Sequence, residues 1–168
     1  MRAYPRDFND ASKPYVPTPL IFPTGFVLLQ DTREQRPLFT RLPKGLVVCS
    51  ATLYDGDYSV KGFENKIAFE RKGISDLFPY CSKEQITRTR SKMIRFKKMD
   101  FVGLVIEAKE SDVFQFQTFT KVPPQVVAGA IISFQVRYGV HVFFGNREQC
   151  GNWILRRAVK YFNIQKEI

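Results

Sequence analysis

One stretch in the second half of the sequence constrains the fold more than any other. Residues 101–106 are apolar without interruption, and Glu107 ends the run. A strand-length run without polar alternation is typical of a central strand that is buried on both faces of its sheet. The sequence therefore predicts a sheet that helices flank on both sides.

The remaining periodicity fits such a sheet. In the first half, strand patterns bounded by turn signals are predicted at residues 26–30, 46–53, 58–60 and 66–72. In the second half, a strand at residues 140–144 joins that at 101–107, and helices are predicted at residues 83–98, 125–138 and 147–162. Strands in a meander, followed by alternating helices and strands, indicate an α/β fold with a central mixed β-sheet flanked by helices.

The folded domain is expected to span residues 25–168. Prolines cluster in residues 1–24, where no hydrophobic periodicity is found. Because proline fixes φ and removes a backbone donor, residues 1–24 are predicted to form an extended arm. No internal repeat and no second domain are indicated.

The net charge of the chain limits the kinds of molecule that it is expected to bind. Lys and Arg total 26 against 16 Asp and Glu, so the formal net charge is +10. Such a charge attracts polyanions, of which nucleic acid is the commonest large one in a cell, although it can also serve solubility alone. Acidic residues are concentrated between residues 31 and 76. Acid grouped within a basic protein is what a divalent-cation site facing phosphate requires.

Several classes of protein are excluded. No apolar run reaches the length of a membrane helix, and the N-terminus has no apolar secretory stretch. Cys49, Cys81 and Cys150 form no C-x-x-C pair, which indicates a reducing compartment and no structural zinc. A protein that is not secreted is predicted, cytoplasmic or nucleoid-associated if prokaryotic or viral and nuclear if eukaryotic. The single histidine, His141, excludes a multi-histidine metal centre, and it and the cysteines are expected to pack in the core.

The sharpest chemical signal surrounds a predicted hairpin. Asp57 begins one strand and Glu70 ends the returning strand, so the two carboxylates are expected to share a divalent cation. Lys72 lies two residues after Glu70 and projects to the same face, beside the metal. Arg71 is expected to point to the other face or to grip phosphate, and Asp76 to return on the next helix as another ligand. The alternative is a solvated hairpin with surface ion pairs.

Three motifs in a fixed order resemble a known family. They are Asp31-Thr32-Arg33-Glu34, then Gly56-Asp57-Tyr58, then residues 70–77, which read E-R-K-G-I-S-D-L. The order resembles the nuclease domain of the XPF family of structure-specific DNA endonucleases, where D-x-R-E precedes G-D-Y or G-D-F and E-R-K-x-x-x-D-L. The resemblance covers residues 26–163 and implies a restriction-endonuclease-like core.

The resemblance implies cleavage of DNA near a branch, flap or junction, with Mg²⁺ or Mn²⁺ as the cofactor. The implied metal ligands are Asp57, Glu70 and Asp76, the implied basic pair is Arg71 and Lys72, and the implied support is Asp31, Arg33 and Glu34. Members of the family work as dimers and commonly carry a tandem helix-hairpin-helix module, which this sequence does not include. We therefore expect a homodimer, or a heterodimer with a related subunit that bears the module.

The helix at residues 83–98 is the predicted DNA-binding element. The basic residues that it is expected to present to DNA are Lys83, Arg88, Arg90, Lys92 and Arg95. Among them, Arg88, Lys92 and Arg95 recur at four- and three-residue spacing, so one helix face can follow a phosphate backbone. A solvated helix face is the alternative.

Apolar residues on the last two predicted helices offer a surface for pairing two subunits. They are Val126, Val127, Ala130, Ile131, Phe134 and Tyr138 on the first, and Trp153, Leu155, Tyr161 and Phe162 on the second. One stripe facing the sheet needs only part of this surface. The alternative is that all of it is internal core.

Two other functions use the same residues. One is a non-catalytic DNA-binding subunit that pairs with an active nuclease, although such a subunit has no need for three acids beside a phosphate path. The other is a restriction enzyme or a junction resolvase, which shares the metal chemistry and differs in substrate. Phe114, Phe116 and Phe119 could stack on unpaired bases, but core packing or a partner surface is the simpler interpretation.

Overall fold

A computed structural model describes residues 19–167 of the chain. The strands within these residues are β1 Leu28–Asp31, β2 Val48–Ala51, β3 Tyr58–Val60, β4 Ile67–Gly73, β5 Phe101–Glu107 and β6 His141–Gly145. The helices are α1 Ile74–Cys81, α2 Ile86–Phe96, α3 Glu110–Val113, α4 Pro124–Tyr138 and α5 Arg147–Glu167. Each predicted strand and helix is found to within a few residues, and the short helix α3 was not predicted.

The strands form one mixed sheet in the order β2-β1-β3-β4-β5-β6. The pairs β1–β3 and β3–β4 are antiparallel, and the other neighbours are parallel. The predicted α/β fold with a mixed sheet is confirmed, but the meander is wrong at its start, because β2 lies outside β1 and parallel to it. A parallel return needs a connection of a dozen or more residues, and residues 32–47, with Leu38 and Leu46 buried, provide it.

Hydrophobic cores lie on both faces of the sheet, and the side chains of β5 alternate between them. Leu104 and Ile106 enter a core that α1, α2 and α4 complete, whereas Val105 enters the core beneath α5. Gly103 shares the α5 face, where an added Cβ would lie 2.5 Å from the Trp153 ring. The apolar run of β5 therefore reflects a strand covered on both faces, as predicted.

Two residues expected in the core are exposed because they lie on edge strands. His141 is exposed on β6, and its ring stacks on that of Phe101 with the centroids 4.5 Å apart. Cys49 is exposed on β2, at the other edge of the sheet. Cys81 and Cys150 are buried, as expected.

The predicted N-terminal arm lies mostly outside the described residues, because residues 1–18 are not among them. Within its described part, Leu20 and Phe22 pack against the core beneath α5. These two residues therefore belong to the packed structure and not to an extended arm. Among residues 19–167, no helix combines the length and the apolar composition that crossing a membrane requires.

Most of the apolar surface assigned to subunit pairing is internal. Trp153, Leu155 and Phe162 of α5 are buried, and so are Val127, Ile131 and Phe134 of α4. The large apolar side chains that α4 leaves exposed are Val126, Ile132 and Val136. Of the residues predicted to pair subunits, only Val126 is exposed, and Ile132 and Val136, which were not predicted, form the more exposed apolar surface of α4.

Candidate active site

The three sequence motifs converge on one cavity of about 550 Å³. Asp57 lines it from the turn before β3, and Glu70 and Lys72 line it from β4. Polar residues of α2 line its other side. Asp31 and Arg33 of the first motif line it as well. The structure thus brings together most of the residues that the resemblance implies.

The β3–β4 hairpin places the first two carboxylates side by side, as predicted. Tyr58 pairs with Phe69, so the preceding Asp57 and the following Glu70 are neighbours across the hairpin. The backbone N–H of Arg71 donates a hydrogen bond of 2.7 Å to Asp57 Oδ2. The two acids are therefore held by backbone pairing and not by flexible side-chain contacts alone.

Gly56 permits the tight turn that presents Asp57. Its φ is 85°, in the left-handed region, and an added Cβ would lie 3.1 Å from the carbonyl oxygen of Phe69. Burial of the Asp57 carboxylate, with the negative charge of Glu70 beside it, raises the pKa of Asp57 to about 6. Asp57 therefore ionises at a higher pH than an exposed aspartate does.

Glu70 has the opposite environment. Lys72 Nζ lies 2.7 Å from one of its carboxylate oxygens, and Lys92 Nζ contacts the other. Burial disfavours the charged form, but the two ammonium groups outweigh it, so the pKa of Glu70 lies below its ordinary value. Glu70 is therefore ionised between two lysines, whereas Asp57 beside it ionises at a higher pH than an exposed aspartate does.

Lys72 projects to the same face as Glu70, as the strand period predicts. Burial disfavours its ammonium form, but Glu70 and Asp57 outweigh burial and raise the pKa of Lys72. Its Nζ lies 4.9 Å from the centre of the Tyr80 ring. The Tyr80 hydroxyl, which is buried, has no hydrogen-bond partner among residues 19–167. The Lys72 ammonium is therefore held between the Glu70 carboxylate and the Tyr80 ring, and its protonated form is favoured.

Asp76 lies outside the cavity. It is exposed in the first turn of α1, and its Oδ2 lies 3.3 Å from the position that a Cβ on Gly73 would take. No three Asp, Glu, His or Cys side chains of residues 19–167 converge in a group that could hold a metal. Asp76 lies in the first turn of α1, as predicted, and its negative charge contributes to the raised pKa of Lys72, but within residues 19–167 its carboxylate is not grouped with those of Asp57 and Glu70. Its role as a metal ligand stays a prediction.

Asp31 supports the loop that leads to Asp57. Its buried carboxylate accepts hydrogen bonds from the backbone N–H and the guanidinium of Arg33, and one of 2.8 Å from the N–H of Leu53. The Arg33 guanidinium also donates to the Leu53 carbonyl at 2.6 Å. Both residues therefore hold the chain in place four residues before Asp57.

Arg71 points to the other face of β4, as predicted, and its fork is fully engaged. It forms ion pairs with Glu34 at 3.0 Å and with Glu107 at 2.7 Å. Glu107 also pairs with Arg147 at the start of α5, and Arg147 donates to the Pro37 carbonyl. Of the two roles open to Arg71, the structure shows the one in the local fold: this network joins the first motif, β4, β5 and α5.

The predicted DNA-binding residues separate into two groups. Arg88, Lys92 and Arg95 line the cavity, as their shared helix face predicts. Lys83 and Arg90 instead line a different cavity, of about 310 Å³, between α2 and α4. Arg88 is exposed and forms no ion pair within residues 19–167, whereas Lys92 is paired with Glu70.

The sequence prediction missed a second ion pair at the cavity. Asp55 is buried, and both of its oxygens accept hydrogen bonds from the guanidinium of Arg95, at 2.8 and 2.7 Å. Tyr54, next to it, lines the cavity and is exposed. The D-G-D spacing hinted that Asp55 lies near Asp57, but nothing local in the sequence indicates a partner forty residues away.

Comparison with known proteins assigns the chain to a family. A family model described as the ERCC4 domain matches residues 30–156, which is most of the chain and contains all three motifs. The chain belongs to the ERCC4 domain family. This family is one of structure-specific DNA endonucleases, so the XPF-type resemblance of the motifs is confirmed.

Solved structures agree with the family assignment at the level of the fold. XPF from Aeropyrum pernix in complex with DNA shares 17% identity at a TM-score of 0.59, covering 83% of this chain and 66% of that chain. A second structure of XPF from Aeropyrum pernix shares 19% identity with this chain at a TM-score of 0.60. The match covers 79% of this chain and 63% of that chain. The chain thus spans slightly less than two thirds of the length of these proteins. No curated protein shows a significant match.

Proposed function

We propose that this chain is a divalent-metal-dependent endonuclease that hydrolyses DNA phosphodiester bonds next to branches, flaps or junctions. The observation that carries the proposal is the pairing of Asp57 and Glu70 in one cavity with Lys72, opposite the basic face of α2. Phosphate hydrolysis requires a place for a cation, a donor for developing negative charge and a path for the DNA backbone. The cavity contains a candidate for each.

The residues of the cavity fit Mg²⁺ or Mn²⁺. Such ions are held by one or two carboxylates, with waters and substrate phosphate completing the coordination. Asp57 and Glu70 would hold the ion, and the raised pKa of Asp57 marks a carboxylate that an added positive charge would stabilise. When bound, the ion would supply Lewis-acid polarisation of the phosphate and a lowered pKa of water.

The chain's own residues have distinct roles in this proposal. The raised pKa of Lys72 favours its protonated form, which donates hydrogen bonds to water or phosphate, and the second role proposed for Lys72 is to help remove a proton from that water. Arg71 holds Glu34 and Glu107 and thereby fixes the strand that carries Glu70 and Lys72. It acts as a positioning residue.

A second candidate function is a non-catalytic DNA-binding subunit. The observation that favours it is that both carboxylate oxygens of Glu70 already contact lysines. In that function Lys72 and Lys92 would take the place of the cation permanently. DNA binding is common to both candidates, and the DNA in the Aeropyrum pernix XPF complex supports it.

The decisive experiment is cleavage of a matched panel of DNA substrates, namely flap, fork, nick, junction and linear duplex, with Mg²⁺, with Mn²⁺ and with a chelator. The Asp57→Asn variant should cut at least about a hundredfold more slowly and still bind DNA, because only the charge of a ligand is lost. Asp100→Asn removes an exposed carboxylate at the far end of β5 and serves as the matched control.

The outcomes separate the two candidates. Branch-dependent cleavage that needs the metal and Asp57 supports the endonuclease. DNA binding without cleavage by the wild-type protein on any substrate supports the non-catalytic subunit. Equal cleavage by the Asp57→Asn variant would remove this cavity as the active site.

We also propose that the protein works as a dimer, either with a second copy or with a related subunit. The support is the exposed apolar stripe of α4, where Ile132 and Val136 lie one helical turn apart. The helix α4 packs beside β6, the edge strand of the sheet. A closed two-fold pairing is the commonest way to cover such a surface.

A further inference from the structure

Tyr54 is an exposed aromatic residue on the lining of the candidate active site. It is 82% exposed, yet its neighbours in the chain, Leu53 and Asp55, are buried at 3% and 5%. A tyrosine with this much exposed ring surface gains nothing from the core. Its position on the cavity that Asp57 and Glu70 line indicates a role in binding.

The segment that carries Tyr54 is rigid and not a loose loop. The N–H of Leu53 donates to the buried Asp31 carboxylate at 2.8 Å. On the other side, Asp55 accepts two hydrogen bonds from Arg95 of α2. Both neighbours of Tyr54 are therefore tied to the sheet or to a helix, so the backbone that carries the ring is held in place before any ligand arrives.

Arg95 also supports the ring itself. Its guanidinium carbon lies 5.4 Å from the centre of the Tyr54 ring, which is within the range of a cation–π contact. The guanidinium lies over the ring, and the exposure of Tyr54 leaves most of the ring surface open to solvent. An aromatic ring that a guanidinium supports and that is largely open to solvent is suited to stack a planar partner at little entropic cost.

The charge around the ring identifies the partner. Arg88, which is exposed and forms no ion pair within residues 19–167, lines the same cavity, so a ligand in contact with Tyr54 lies near a cation that is open to a phosphate. Nucleobases are the planar groups that a phosphate backbone carries, and stacking on an aromatic side chain stabilises their binding. A base inside a duplex already has both faces covered by its neighbours, so only an unpaired base can use the ring.

We propose that Tyr54, supported by Arg95, is a stacking site for one unpaired nucleobase next to the phosphate that the active site engages. The inference rests on the proposed endonuclease function and deepens it, because it gives the cavity a means to prefer single-strand-to-duplex transitions over continuous duplex. The exposed Phe116 does not line this cavity, so it is a rival site for stacking and not a part of this one.

The test uses the full chain and DNA forks that carry 2-aminopurine at successive unpaired positions beside the branch, without divalent metal. Binding of the wild-type protein should quench the fluorescence at one position. Tyr54→Phe retains the ring and should retain the quenching. Tyr54→Ala should lose it and weaken fork binding about tenfold, with a much smaller effect on linear duplex. Because the residue is exposed, an unaltered melting temperature should show that the variant folds.

Each outcome decides the proposal. Position-specific quenching and fork preference in Tyr54→Ala equal to those of the wild type would overturn it. Loss of both in Phe116→Ala, with Tyr54→Ala unaffected, would move the stacking site to the other aromatic segment and overturn it too. If the wild-type protein binds no DNA, the proposed function fails together with this inference, whereas DNA binding without an effect at Tyr54 removes this inference alone.

Discussion

Asp31 shows how one carboxylate holds the chain that leads to Asp57. It lies at the end of β1, and its two oxygens accept every hydrogen bond that Arg33 and Leu53 offer to them. The hydrogen bond from the Arg33 side chain outweighs burial and lowers the pKa of Asp31 to about 2. The ionised form of Asp31 is therefore a stabilising element of the folded protein.

The Asp31→Asn variant should be less stable by about 2 kcal/mol at pH 7, because hydrogen bonds to an ionised group are the stronger ones. An aspartate titrates near 3.9 in the unfolded chain and near 2 in the folded one. Its contribution is therefore present above about pH 4 and disappears as the pH falls towards 2. Denaturant unfolding between pH 7 and pH 2.5 should show the wild-type advantage shrinking across that window. An equal advantage at all pH values would contradict the role of the charge.

At the scale of secondary structure, α2 has two different basic sides. Arg88 lines the candidate active site and is exposed, whereas Arg90, two residues on, lines the cavity between α2 and α4. Residues two apart on a helix do not share a face. The helix therefore offers a matched pair of arginines to test which side follows the DNA.

The Arg88→Glu variant should bind every DNA substrate more weakly, and the slope of log affinity against log salt should fall by about one for the lost phosphate contact. Arg90→Glu changes the net charge by the same amount and should leave the slope close to that of the wild type. Binding titrations from low to moderate salt measure both. Equal slopes for the two variants would mean that α2 does not face DNA through its cavity side.

The strands show which parts of the site a sequence can predict. Glu70, Arg71 and Lys72 alternate across β4 as the two-residue period requires, so the placement of Lys72 beside Glu70 was predictable. Asp76 lies in the first turn of the following helix, as predicted, but its distance from Asp57 and Glu70 depends on the direction in which α1 leaves the strand, which no local pattern indicates. The Asp55–Arg95 pair joins a turn to a helix, and no local pattern relates two such elements.

At the scale of the whole molecule, long-range ion pairs join the parts that the sequence shows separately. Arg71 connects Glu34 to Glu107, and Glu107 continues to Arg147. The motifs indicated that these charges were important, but their partners depend on the parallel pairing of β4 with β5 and on the path of residues 32–47. The crossover to β2 was missed for the same reason, since hydrophobic periodicity carries no information about strand order.

The proposed subunit pairing involves the whole molecule, and the exposed apolar residues of α4 are the surface that supports it. Ile132 and Val136 are 59% and 80% exposed on α4, and their spacing puts them on one face of the helix. If this face pairs two subunits, wild-type protein at micromolar concentration should scatter light as a dimer. The double variant Ile132→Asp, Val136→Asp should scatter as a monomer, because each dimer would then bury four carboxylates. Ile21→Asp, which replaces an equally exposed apolar residue away from α4, should remain dimeric. A wild-type protein that is strictly monomeric and cleaves branched DNA at the full rate would show that pairing is not needed.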